Sequence, residues 1–194
     1  FSNYELSLLD ALKQDSLILL IGEAGIGKSY ELKKLYDTYV ESNIYYPIFI
    51  SIRDNTLESI YEKIKKYGNY SNSKKALYIF DGLDEVEPES RNEFVKLIRT
   101  NFTKTNNKTA IISTRENFAI EISDFKKYRL QEISDNDIKK YIKENGVSVD
   151  EFNDLLNKLN CQSILKIPFY LSSLINAFLH KKINFTQDNI MDFL

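Results

Sequence analysis

Residues 22–29 read G-E-A-G-I-G-K-S and stand between the unbroken apolar run Leu17–Ile21 and a helical pattern that opens at Lys28. No other stretch limits the fold so tightly. Gly22, Gly25 and Gly27 let the backbone curl with successive N–H groups pointing inward, where side chains would obstruct an approaching anion. The helix that follows presents its positive dipole end to the same point. Three of the chain's six glycines are spent here. The spacing G-x-x-x-x-G-K-[ST] after a strand and before a helix is an anion cradle for nucleotide phosphates. Lys28 then reaches the β- and γ-phosphates, and the Ser29 hydroxyl is a magnesium ligand. The predicted nucleotide-binding stretch is Gly22, Glu23, Ala24, Gly25, Ile26, Gly27, Lys28, Ser29 and Tyr30.

A phosphate cradle that works with magnesium needs a carboxylate at the end of a neighbouring strand. Residues 76–86, A-L-Y-I-F-D-G-L-D-E-V, supply one. Five largely apolar residues run into Asp81, which predicts a carboxylate at the carboxyl edge of the sheet, where open α/β sheets bind ligands. Asp81 is thus the second predicted magnesium ligand, acting through water because magnesium keeps much of its hydration shell. Gly82 keeps side-chain bulk away from the phosphates. Asp84 and Glu85 follow within one turn, and either can orient or deprotonate an attacking water. The sequence does not choose between them. The same acidic run also suits the start of the next helix, where Glu85, Glu87 and Glu89 would favour the dipole.

Apolar runs alternate with helical patterns through the first two thirds of the chain, which predicts an α/β fold with a parallel sheet. The expected strands are 17–21, 46–52, 76–81, 109–113 and 127–130, with helices near 28–39, 56–66 and 89–102. Phe94, Leu97, Ile98 and Phe102 mark the buried face of the last of these, with Pro88 at its start. After Leu130 the strand pattern stops. Ser134 with Asp137 and Ser148 with Glu151 resemble capping boxes, and the apolar residues behind them recur at helical spacing. A third helix starts near Pro168. The expected organisation is a nucleotide-binding domain over 1–132 and a small helical subdomain over 133–194. The chain begins at Phe1 and an amphipathic pattern over Thr186–Leu194 stops unfinished, so a piece of a longer protein is expected.

Composition removes several function classes. A formal net charge of -2 gives no pull toward nucleic acid or anionic membrane. No apolar run approaches the ~18 residues that span a bilayer, and no secretory signal pattern is present. One cysteine, Cys161, rules out an internal disulfide, and with one histidine, His180, leaves no His/Cys zinc site. The simplest setting is the reducing cytoplasm. Lys63–Lys75 carries five lysines with Tyr67 and Tyr70, which a solvated helix end explains as well as a nucleic-acid patch does.

The stretch D-G-L-D-E at 81–85, placed after the phosphate loop, resembles the NACHT group of STAND ATPases, the signalling ATPases of innate immune receptors and bacterial antiphage defence. Three further segments fall in the family's order: P-I-F-I-S-I-R-D at 47–54, I-I-S-T-R at 111–115 and L-K-I-P-F-Y-L at 165–171. The resemblance implies a three-layer P-loop fold with strand order 5-1-4-3-2. It implies Arg115 as a sensor of the γ-phosphate, with Thr114 either assisting or only packing, and Pro168 near the adenine. Arg53 is read as structural. It further implies an ATPase, slow and switch-like, that binds ATP or ADP with magnesium and controls self-association of a larger protein. The effector and sensor domains would lie outside residues 1–194. Two other readings stay open: a nucleotide-locked scaffold that does not hydrolyse, and an AAA+-like ATPase driven by nucleic acid. No N-K-x-D-like guanine reader is visible, which favours adenine.

Overall fold

The computed structural model describes residues 6–42, 44–68, 75–102, 108–121, 124–159 and 162–180. The side chains of 119–121, 155 and 158–159 are outside that description, as are Cys161 and the 186–194 pattern. The chain divides into two compact units, one of Phe1–Glu23 with Lys28–Leu130, the other of Ala24–Gly27 with Gln131–Leu194.

The first unit is built on five parallel strands: β1 (Leu17–Ile21), β2 (Tyr45–Ser51), β3 (Lys75–Asp81), β4 (Thr109–Thr114) and β5 (Lys126–Arg129). Their spatial order is β2-β3-β4-β1-β5, which is the expected 5-1-4-3-2 counted from the other edge. β1 pairs with β4 on one side and β5 on the other, and all five of its residues are buried. A strand in that position touches no water on either face, which is why L-I-L-L-I shows no polar alternation.

The faces still differ in what covers them. Leu17, Leu19 and Ile21 of β1 join Tyr78 and Phe80 of β3 and Ala110 and Ile112 of β4. Helices α3 (Leu57–Gly68) and α4 (Pro88–Asn101) cover this face through Ile60, Ile64, Phe94, Val95 and Ile98. Ile18, Leu20, Leu77, Ile79 and Ile111 point the other way, beneath α1 (Leu8–Gln14) and α2 (Lys28–Val40). Helix α1 has no counterpart among the expected elements. It is a seven-residue helix started by Ser7, whose hydroxyl accepts from the Asp10 N–H, and so short a segment gives little periodicity to detect.

The second unit has its own core. Helices α5 (Asp135–Glu144), α6 (Val149–Leu159) and α7 (Pro168–Leu179) bury Ile138, Ile142, Phe152, Leu156, Leu171, Leu174 and Ile175 together. Ser134 caps α5 through the Asp137 N–H, as its position in the sequence implies. Among the described residues no helix is long and apolar enough to cross a membrane.

Phe80 is the hinge of the α3/α4 face. Its ring lies 5.4 Å from that of Phe94 and 5.7 Å from that of Phe102, both edge-on, and all three are fully buried. Truncating such a ring leaves a cavity that fixed strands cannot close. Phe80→Ala is expected to cost about 3–5 kcal/mol, seen as a lower urea midpoint with an unchanged slope.

Candidate functional site

The site is assembled from strand ends, so alternation along the strands decides which side chains share it. Asp81 ends β3 on the face of Leu77 and Ile79, the face that α2 covers. Ser113 on β4 shares that face with Ile111. Its hydroxyl donates to Asp81 Oδ1 at 2.5 Å and accepts from the Gly82 N–H at 2.8 Å. One fully buried hydroxyl therefore fixes both the carboxylate and the turn after it. Sequence reasoning missed Ser113. Its signal was a serine inside a buried apolar strand, since such a hydroxyl must find a partner. Thr114, one residue on, faces the α3/α4 side by the same alternation. Its Oγ1 is buried and, among the described residues, has no hydrogen-bond partner.

The phosphate loop leaves β1 at Gly22, whose N–H donates to the Thr114 carbonyl at 3.2 Å. Lys28, the first residue of α2, turns back over the loop. Its Nζ donates to the Gly22 carbonyl at 2.7 Å and the Glu23 carbonyl at 3.0 Å. Burial lowers the pKa of this ammonium, while Asp84 raises it, Arg115 lowers it, and Asp81 and Glu23 raise it. Lys28, Asp81, Asp84 and Arg115 thus act on one another across one small volume. Ser29 and Tyr30 follow on α2, both exposed.

The loop's tip, Ala24–Gly27, packs with the second unit. The Gly25 carbonyl accepts from the Phe169 N–H at 3.3 Å. Gly25 has φ +73°, and a Cβ there would stand 2.9 Å from Phe169 Cβ and 3.3 Å from Ile167 Cγ2. Only glycine fits, by conformation and by space alike. Pro168 opens α7 as its first residue, flanked by the two side chains that meet Gly25.

The acidic pair after β3 separates into two environments. Gly82 adopts φ +85° and starts a 3₁₀ turn over Leu83–Glu85. Leu83 is buried in the sheet core, and the Arg91 guanidinium donates to the carbonyls of Leu83 at 3.3 Å and Val86 at 2.7 Å. Asp84 is only 5% exposed and meets Arg115 Nε at 2.8 Å. Glu85 is about half exposed and folds over Gly82, where a Cβ would stand 3.3 Å from its Cδ. Its Oε2 lies 3.8 Å from Arg53 Nη1, a long pair at the surface, where such contacts are weak.

The donors suited to a divalent ion here are oxygens alone, the Ser29 hydroxyl and the Asp81 carboxylate. Among the described residues no group of three or more His, Cys, Asp or Glu side chains could hold a metal. That suits magnesium, which binds through one or two protein oxygens with water and phosphate completing its shell. The lysine-rich stretch contributes little that is free: Lys63 donates to Asn55, Lys65 lies over the Tyr61 ring and Lys66 over the Tyr67 ring. Residues 69–74, including Tyr70, are outside the description.

Comparison with known proteins follows the geometry. Residues 5–160 match the family described as novel STAND NTPase 3. No curated protein matches the chain in sequence. Among solved structures, a chain of the Drosophila origin recognition complex bound to DNA is similar in fold, with a TM-score of 0.51 and 14% identity. The alignment covers 87% of this chain and 52% of that one, so the present chain spans about half its length.

Ser113→Ala removes the partner of both Asp81 Oδ1 and the Gly82 N–H. Leaving a buried donor unpaired is expected to cost about 1–3 kcal/mol, measured by urea denaturation. Ser113→Thr, which keeps the hydroxyl, is expected to retain most of that stability.

Proposed function

Since this chain belongs to the novel STAND NTPase 3 family, we propose that it binds ATP and ADP and hydrolyses ATP slowly, so that the bound nucleotide sets the state of a larger protein. The observation that carries this reading is the meeting of Lys28, Asp81, Asp84 and Arg115 at one edge of the sheet, beside a loop of the phosphate-binding pattern.

In this reading the loop amides and Lys28 hold the β- and γ-phosphates, with the nucleotide-binding stretch running from Gly22 to Tyr30. Ser29 and Asp81 are the residues that would hold magnesium, which supplies charge neutralisation at the phosphate oxygens. Water attacks the γ-phosphorus and the bond to the bridging oxygen breaks, releasing ADP and phosphate. Glu85, the exposed member of the acidic pair, orients that water and takes its proton. Lys28 and Arg115 neutralise charge on the transferring group. Pro168 lies near the base, as the resemblance to NACHT ATPases implies.

A switch requires the γ-phosphate to favour one arrangement. Moving an equilibrium from 1:99 to 99:1 takes about 5.5 kcal/mol of differential binding. Charge-assisted hydrogen bonds contribute roughly 1.5–3 kcal/mol each, so two or three contacts made only to that phosphate suffice. Lys28, Arg115 and the metal are that many. Control of self-association, and a role in immune or antiphage signalling in the cytoplasm, rest on the family resemblance.

Nucleotide with magnesium at a hundred times its Kd is expected to add about 2.7 kcal/mol of stability, read as a rise in melting temperature that Lys28→Ala erases. A wild-type protein indifferent to both ATP and ADP would overturn the reading. Glu85→Gln is expected to abolish multiple-turnover phosphate release while leaving nucleotide binding in place. Phosphate release unchanged by that substitution would remove Glu85 from the mechanism.

A further inference from the structure

Asp84 and Arg115 form the most enclosed ion pair at the sheet edge, and each partner is held by its own surroundings. Asp84 sits in the 3₁₀ turn that Leu83 anchors in the core and that Arg91 grips by two carbonyls. Arg115 is the first residue past β4. Its carbonyl accepts from the Phe118 N–H at 3.1 Å, and the Phe118 ring packs 3.9 Å from the Arg91 guanidinium. Arg91 thus braces both sides of the pair.

The contact atom decides what the pair can do. Asp84 Oδ2 meets Arg115 at Nε, the inner nitrogen, at 2.8 Å. A guanidinium is a rigid plane with donors on more than one edge, so a carboxylate at Nε leaves the outer edge, Nη1 and Nη2, for a second anion. The arginine side chain is 48% exposed although its carboxylate partner is almost wholly buried. Arg115 also shares the electrostatic surroundings of Lys28. Asp84 itself is poorly placed as a base: a carboxylate 5% exposed and already paired has little room for a water.

We propose that Asp84 is a positioning residue whose buried carboxylate holds the Nε edge of Arg115, so that the outer edge faces the terminal phosphate and the site prefers a nucleoside triphosphate to a diphosphate. This rests on the nucleotide reading above and deepens it, because the two neighbouring acids then have separate tasks. Glu85 handles water. Asp84 never touches the reacting atoms and sets nucleotide preference through the arginine.

The test is calorimetric titration of the whole protein with ADP and with a non-hydrolysable ATP analogue, each with magnesium, alongside phosphate release. Asp84→Ala is expected to weaken the triphosphate analogue by about tenfold while ADP changes by less than about twofold, the size of one charge-assisted hydrogen bond lost. Asp84→Asn keeps an acceptor for Nε–H and is expected to retain most of the preference, with phosphate release lowered several-fold and not abolished. Arg115→Ala, and Arg115→Lys with only one ammonium for two anions, are expected to lose the preference. Adding Asp84→Ala to Arg115→Ala is expected to change it no further, as residues acting through one another are non-additive. Equal weakening of both nucleotides by Asp84→Ala would overturn the proposal. So would an Asp84→Asn protein as inactive as Glu85→Gln with its preference intact, because that is the behaviour of a base. Should Asp84→Ala fail to fold, the Asp84→Asn and Arg115→Lys arms decide alone. A wild type that binds neither nucleotide sinks the nucleotide reading, whereas the other failures leave that reading standing.

Discussion

Parallel pairing sets the carboxyl ends of all five strands on one edge of the sheet, and the chemistry of the first unit is gathered along that edge. The register is tight: Ile21 of β1 lies opposite Thr114 of β4 and Arg129 of β5, and Phe80 of β3 lies opposite Ile112. Gly22, Asp81 and Arg115 therefore leave neighbouring strands at nearly one level. The Gly22 N–H bonded to the Thr114 carbonyl ties the loop's first residue to the strand that ends beside Arg115. Were β1 less completely buried, the start of the loop would have no fixed origin. Its position between two strands and two helical layers supplies one.

Charge at this edge is arranged so that no ion stands alone. Lys28 donates to two carbonyls of its own loop. An arriving phosphate has to displace neutral carbonyls only, and it brings the counter-charge that burial of the ammonium otherwise lacks. Asp81 is held by a hydroxyl and not by a cation, which keeps its charge available to a metal. Asp84 is paired, and Glu85 stays near solvent with a distant arginine. Two adjacent acids in the chain thus have different physical standing, and the division follows from Leu83 anchoring the turn between them and the strand.

Within the second unit, the contact of Gly25 with Ile167 and Phe169 gives the helical segment a physical tie to the loop tip. The tie is a backbone hydrogen bond and a close approach that only glycine allows. A proline at the first position of α7 suits this, since it needs no hydrogen-bond partner for its nitrogen and fixes the direction in which the chain enters the helix.

Much of this was legible in residue order alone. G-E-A-G-I-G-K-S after L-I-L-L-I fixes a strand, a phosphate loop and a helix, because backbone curvature and dipole are local properties. The five strands and the three later helices were readable for a similar reason, as burial on two faces or on one stripe leaves a periodic trace. What residue order could not decide was which side chains meet. Ser113 and Asp81 are 32 positions apart, and only the pairing of β3 with β4 and the shared face make them partners. Asp84 and Glu85 were equivalent on paper. They became different because one is enclosed against Arg115 and the other is not, and enclosure is a property of the folded neighbourhood that no spacing encodes.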